Sequence, residues 1–249
     1  LHQAGVPAPH LKNQVFQWPF WNCVIRNLAR EEAMFAPGSE TSYHLVNFGF
    51  ILGEVLRRVT GKSIDEYLAE DFFAPMKLAN TSMRMRGEDL RRSPLEVAVS
   101  PELKGNAFLF NLPPIRNALI PAVNLRSSAH DLGAFFVMLL NDGTYNGKQY
   151  LSPEIIRLAT RSHYNGFDKT MGFNMNWGMG FIVGGGNYLV ENKREWIMGW
   201  GSSEDTFAGF GMGTCMVWAD RKADLVTAFT CNGMLSVPAV DKRWAAISN

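Results

Sequence analysis

The sequence predicts an α/β chain of the α+β type. A mainly helical and loop region over residues 1–160 is followed by an antiparallel sheet region over residues 170–249. Three observations carry that reading. Before residue 160, apolar residues recur at spacings of three and four, the pattern of an amphipathic helix. After Gly172 the apolar runs become short or alternating and are separated by glycine clusters. No helical pattern lies between those runs, and strands joined without crossover helices form an antiparallel sheet.

The elements follow in order. Residues 1–39 are rich in Pro, Gly and aromatic side chains, with one short helix expected around Trp21 to Arg30 and a turn at Phe35-Ala36-Pro37-Gly38. Leu45, Phe48, Leu52, Val55 and Val59 then mark the core face of a helix over residues 44–60, with Gly61 where a helix ends. Ser63 and Glu66 have the spacing of a capping box, which opens a second helix through about Phe73, and Pro75 stops it. Residues 76–126 read as a long irregular stretch. Residues 129–140 form a helix with Leu132, Phe136 and Leu139 inward, and Ser152-Pro153 caps another through about Thr160. Strands are expected over Trp177 to Val183, Glu195 to Gly199, Phe207 to Ala219 and Leu225 to Asn232, with a polar turn over residues 220–224. Val240 to Ile247 open a final helix.

Composition excludes several classes of function. Against 24 Lys and Arg stand 23 Asp and Glu, a formal net charge of +1, so no bulk positive field exists to bind nucleic acid. The longest apolar run, Ala134 to Leu140, is far short of the ~18 residues that suggest a membrane span. The three cysteines, Cys23, Cys215 and Cys231, form no CxxC pair and read as small buried hydrophobes. HExxH, GxSxG and GxxxxGK[ST] motifs are absent, and no two of the five histidines share a helical face, so neither a metal nor an organic cofactor is expected. The first residue is Leu1 and no signal-peptide pattern follows it, so the chain is expected to be processed or to begin partway into a longer protein.

One stretch stands apart. Ala36-Pro37-Gly38-Ser39-Glu40-Thr41-Ser42-Tyr43-His44, followed by the helix that ends Gly53-Glu54-Val55-Leu56-Arg57-Arg58-Val59-Thr60-Gly61, resembles the serine β-lactamase and penicillin-binding-protein superfamily, in particular the class C β-lactamase-like esterases. His2-Gln3-Ala4-Gly5 is similar to the family's His-x-x-Gly segment. Ser127-Ser128-Ala129-His130-Asp131-Leu132, Leu151-Ser152-Pro153-Glu154, Trp177-Gly178-Met179-Gly180-Phe181 and Cys215 to Asn232 resemble later family segments in the same order. The resemblance implies a β-lactamase-like fold over residues 1–249, an incomplete single domain with its antiparallel sheet flanked by helices and its N-terminal strands and nucleophile helix missing.

It also implies a chemistry. Tyr43 would take and return the proton of a serine nucleophile. A free phenol near pKa ~10 is a poor base, but a helix N-terminus and a nearby ammonium would both favour the phenolate. Leu45 stands where β-lactamases carry an asparagine, which turns the expected substrate from β-lactams toward small esters or amides. Trp200-Gly201-Ser202 resembles the family's third motif on a sheet strand, with Trp200 walling the acyl pocket and the Ser203 N–H expected as oxyanion donor. The first family motif, Ser-x-x-Lys, is absent: no serine has a lysine three residues later. The chain alone is therefore expected not to turn over substrate. A second reading, from another class, is a non-catalytic relative that keeps the scaffold for binding or self-assembly.

Overall fold

The structure, a computed structural model, describes residues 1–7, 15–184, 198, 199, 201–211 and 213–248. The chain forms two compact units: residues 2–96 with 105–127, and residues 97–104 with 128–249, to which Leu1 also belongs.

The first unit is helical. Its helices are α1 (Trp21–Leu28), α2 (Asn47–Thr60), α3 (Ile64–Leu68), α4 (Glu88–Arg92), α5 (Lys104–Asn111) and α6 (Pro113–Arg116). Local chemistry sets several ends. Gly61 closes α2 in the left-handed region at φ 76°, and its N–H donates to the Arg57 carbonyl. Ser63 and Glu66 make the expected capping box, with Ser63 N–H on Glu66 Oε2 at 2.9 Å. The helix then widens into one π-helical turn, Ala69–Phe73. The core gathers Trp18, Val24, Phe50, Ile115, Ala118 and Ile120. The stretch read as irregular holds α4, α5 and α6, pieces of four to eight residues, too short to show helical periodicity.

Helix α2 departs from the sequence reading in two respects. It begins at Asn47, not residue 44, because Leu45 has φ 38° and no helix passes through a left-handed residue. Its buried face is also not the apolar stripe. Asn47, Gly49, Phe50, Gly53 and Glu54 point inward, whereas Leu52, Val55 and Val59 are 61%, 55% and 80% exposed. Close backbone approach explains the inversion. A Cβ on Gly49 would lie 2.6 Å from the Ala122 nitrogen, so α2 packs through its glycine edge. Glu54 can be buried there because Trp21 Nε1 (2.9 Å), Arg57 (2.8 Å from each of Nε and Nη2) and Arg58 (2.8 Å) all donate to its carboxylate.

The second unit is a six-stranded antiparallel sheet in the order β4 (Tyr164–Asp168), β5 (Phe173–Trp177), β6 (Ile182–Val183), β7 (Thr206–Phe210), β8 (Cys215–Asp220), β9 (Leu225–Thr230). Two small pairings accompany it: parallel β1 (Val97–Ala98) with β10 (Gly233–Met234), and the hairpin β2 (Thr144–Tyr145) with β3 (Lys148–Gln149). Helices α7 (Ala129–Leu140), α8 (Pro153–Thr160) and α9 (Val237–Ser248) belong to the same unit. Ser128 Oγ accepts the Asp131 N–H and Ser152 Oγ the Ile155 N–H, so α7 and α8 begin where side-chain caps set them. Helix α7 packs on β8 and β9, with Phe136 stacked on Phe207 of β7 at 5.8 Å. That packing accompanies the grouping of residues 128–160 with the sheet unit.

Two expected strands are each two pieces. The run Trp177 to Val183 ends β5, turns through Gly178–Phe181, and becomes β6. The run Phe207 to Ala219 is the hairpin of β7 and β8. Strand β4, which carries no apolar run, was not expected. Of the strand expected at Glu195 to Gly199, residues 195–197 lie outside the described residues, and Met198 and Gly199 are not in a strand. Cys215 and Cys231 are free thiols.

Candidate active site

Tyr43 lies in the helical unit, on the turn between the Pro37-Gly38 bend and α2. The N-terminal segment His2–Val6 runs beside this turn and is bonded to it along its length. Ser42 N–H donates to the His2 carbonyl (3.0 Å), Gly38 N–H to the Gln3 carbonyl (2.8 Å) and Met34 N–H to the Gly5 carbonyl (2.8 Å). Gln3 Nε2 reaches Thr41 Oγ1 at 3.0 Å, and Asn47 Nδ2 reaches the Val6 carbonyl at 2.9 Å. Gly5 must be glycine: φ is 83°, and a Cβ would lie 2.4 Å from the Phe35 oxygen.

Two histidines complete the turn. His44, buried, donates Nδ1–H to the Ser42 carbonyl at 2.6 Å and accepts the Val6 N–H at Nε2 (3.3 Å). Both ring nitrogens are thus engaged as those of a neutral imidazole, which makes His44 a structural residue. His2 Nδ1 accepts the His44 N–H at 3.1 Å. The His2 ring meets the Tyr43 ring edge-on, with centroids 4.6 Å apart. Tyr43 itself is half-buried, and its ring lies 6.1 Å from Phe48 in the first turn of α2. The Tyr43 ring therefore packs near the first turn of α2, although the helix starts later than expected.

The expected third motif sits in the sheet unit, and the structure changes its reading. Trp200 lies outside the described residues. Gly201 is in a turn, and Ser202 folds back on Gly199 through its N–H (3.2 Å) and hydroxyl (2.9 Å). These residues precede β7 and are not on a strand. For Ser203 the expectation is corrected. Its N–H donates to Asp220 Oδ2 at 2.7 Å and its hydroxyl to Asp220 Oδ1 at 2.6 Å, so the expected oxyanion donor is already held by a buried carboxylate. Asp220 also accepts the N–H groups of Lys222 (2.9 Å) and Ala223 (3.2 Å). Burial pushes its pKa up, but the Ser203 hydroxyl, the Ser203 N–H and the Ala223 N–H outweigh burial and hold it below the usual aspartate value.

Among the described residues, β7 outruns its pairing with β6. Its pairing with β6 ends at Ala208 opposite Ile182, and Gly209, Phe210 and Gly211 continue beyond it. A Cβ on Gly209 would meet nothing closer than Phe136 Cζ at 4.0 Å.

Residues 1–249 match the Beta-lactamase family. The chain belongs to that family. Its Beta-lactamase fold is shared by a family VIII carboxylesterase (TM-score 0.81, 26% identity, covering 100% of this chain and 69% of that one). It is shared also by a penicillin-binding-protein homologue from Caulobacter crescentus (TM-score 0.77, 23% identity, 99% and 68%). Among curated proteins, the chain is similar to a candidate D-alanyl-D-alanine carboxypeptidase of Escherichia coli (strain K12), 24% identical over 207 residues, 70% of this chain and 45% of that protein. It is also similar to the esterase/beta-lactamase LipL of Mycobacterium tuberculosis, 21% identical over 268 residues, 94% and 58%. The chain thus spans about half the length of the curated relatives it matches.

Sequence reasoning did not single out the contacts of His2 in the helical unit, nor, in the sheet unit, the carboxylate of Asp220 and the open end of β7. The signal for the last was present, since Gly209-x-Gly211 follows an apolar run. Among the described residues no group of three His, Cys, Asp or Glu could hold a metal ion, and no helix is long and apolar enough to cross a membrane.

Proposed function

We propose that the whole protein is a serine hydrolase that cleaves small esters through an acyl-enzyme, with Tyr43 as its proton relay. The observation that carries this reading is the presentation of Tyr43 by the His2–Val6 segment within a chain that matches the Beta-lactamase family from end to end. A turn bonded this densely holds a phenol in one place, which proton transfer at a nucleophile requires. The exposed Leu45, in the place of an asparagine that would hold a β-lactam amide, favours esters, and the 26% identity to a family VIII carboxylesterase agrees with that preference.

In the proposed reaction a serine supplied with its lysine by a Ser-x-x-Lys motif, which these 249 residues do not contain, gives its proton to the Tyr43 oxygen. The serine oxygen bonds to the ester carbonyl carbon. The tyrosine then returns that proton to the departing alkoxide as the carbon–oxygen bond breaks, and water repeats the sequence to release the acid. Trp200, Gly201 and Ser202 are assigned to the acyl group on the resemblance alone. The 249-residue chain alone is expected to be inactive.

The test is labelling of the whole protein by a fluorophosphonate, with p-nitrophenyl esters and a penicillin as competing substrates. The wild type should be labelled on one serine. Tyr43→Phe should slow ester turnover by about 10²- to 10⁴-fold, the usual contribution of a positioned proton-transfer group. Labelling of Tyr43→Phe at the wild-type rate would refute the role of Tyr43, and no labelling of the wild type would refute the hydrolase.

A further inference from the structure

We propose that His2 is the positioning residue of Tyr43, acting through the acceptor nitrogen Nδ1. This inference rests on the proposed role of Tyr43 and adds the device that fixes its place. One residue brackets the tyrosine on both sides. The His2 carbonyl takes the N–H of Ser42, the residue before Tyr43, at 3.0 Å. His2 Nδ1 takes the N–H of His44, the residue after it, at 3.1 Å. The imidazole ring lies edge-on to the Tyr43 ring at 4.6 Å and meets Phe48 at 5.5 Å and 88°, so it also ties the turn to the first turn of α2.

Backbone strain points the same way. His2 has φ 56°, a conformation that is uncommon outside glycine and persists where the surrounding structure enforces it. The enforcing contacts are those of Gln3, Gly5 and Val6 to the same turn. Left-handed backbone at His2 lets one residue offer both its carbonyl and its ring nitrogen to N–H groups two positions apart. The His-x-x-Gly pattern therefore has a physical meaning here. The histidine holds the residues on either side of the tyrosine, and the glycine three positions on lets the segment lie against the Phe35 carbonyl.

Two substitutions in the whole protein separate the acceptor from the bulk of the ring. His2→Phe keeps a ring against Tyr43 and Phe48 but has no acceptor. His2→Asn lacks the ring, but its Oδ1 lies where Nδ1 does and it tolerates left-handed backbone. Thermal melts verify that both fold. Since a misplacement of about 1 Å can cost about 10²-fold in rate, His2→Phe should lower kcat for ester hydrolysis by roughly 10- to 100-fold with KM nearly unchanged. His2→Asn should retain kcat within about threefold, as one hydrogen bond replaces another of the same geometry. The second readout needs no activity. Amide hydrogen exchange at His44 should speed up in His2→Phe and stay protected in His2→Asn.

Unchanged His44 exchange in His2→Phe would overturn the proposal. So would equal loss of kcat in both variants, or full activity of His2→Phe beside an inactive Tyr43→Phe. Full activity of Tyr43→Phe would instead refute the proton relay, and the exchange measurement would then decide alone whether His2 holds the turn.

Discussion

Replacing Asp220 by Asn changes one oxygen and one charge at the point where the turn before β7 is tied to the sheet. Oδ1 of Asp220 accepts the Ser203 hydroxyl and the N–H groups of Lys222 and Ala223, and an amide oxygen can keep all three. Oδ2 accepts the Ser203 N–H at 2.7 Å, and there the variant presents an NH₂ group. Two donors then face each other at a site that is 3% exposed, too closed for water to compensate. A hydrogen bond to a charged group contributes about 1.5–3 kcal/mol, and an orphaned buried donor costs about 1–3 kcal/mol, so Asp220→Asn should cost about 3 kcal/mol. For a chain of this size that is a fall in Tm of about 6–12 °C.

The pH dependence provides a second check. The folded pKa of Asp220 lies below the ordinary aspartate value of 3.8, so its contribution is fully present above 3.8 and is lost as pH falls through the lowered folded value. Asn cannot titrate. The stability gap between wild type and variant should therefore be constant near neutrality and narrow in acid. Urea melts of both proteins from pH 7 downward measure it. A Tm shift below about 2 °C, less than one lost hydrogen bond, or a gap that stays constant in acid would refute this account of Asp220.

Three further outcomes are expected. Glu54 has its carboxyl lowered to about 2 by the side-chain hydrogen bond from Arg57, against burial, with Trp21 and Arg58 adding to it. Since Arg57 and Arg58 are 45% and 71% exposed, solvent screening cuts the benefit, and Glu54→Gln should cost about 1–2 kcal/mol at pH 7. That cost should shrink as pH falls from 4.5 toward 2, read by denaturant melts. Leu45→Asn should raise Tm slightly, by up to about 1 kcal/mol of stability, because Asn tolerates the left-handed φ of 38° better than Leu. The paired change Leu52→Gln with Val59→Lys should cost less than about 1 kcal/mol because both positions face solvent, whereas Phe50→Ala should cost about 3–5 kcal/mol.

That last contrast marks where the sequence was readable. Helix ends were legible wherever a side chain or a glycine closes them, as at Gly61, Ser63, Ser128 and Ser152, because capping acts over three or four residues. The face of α2 was not. Apolar periodicity pointed to Leu52, Val55 and Val59, but packing density favoured the side that carries Gly49 and Gly53, where backbones approach most closely. Polar Glu54 could join that side only because donors from two helices reach it, and no periodicity rule weighs such partners. The hairpin of β7 and β8 was read as one run because its apolar character continues across the glycines of the turn.

The same division runs through the candidate site. Tyr43 stood out through its immediate neighbours, whereas the partners that hold each expected site residue are distant in sequence: in the helical unit His2 reaches His44 across 42 positions, and in the sheet unit Asp220 reaches Ser203 across 17. Which N–H a carboxylate or an imidazole accepts depends on how the chain returns on itself, and the Ser203 expectation failed for that reason. A serine in a Gly-Ser-Ser turn looks like a donor awaiting a substrate until Asp220, the last residue of β8 and the first of what the sequence reads as a polar turn, is found to have taken its N–H. The edge donor then has to be sought where a strand outruns its neighbour. Among the described residues β7 does so from Gly209 onward, although the Gly211 N–H is already given to the Cys215 carbonyl.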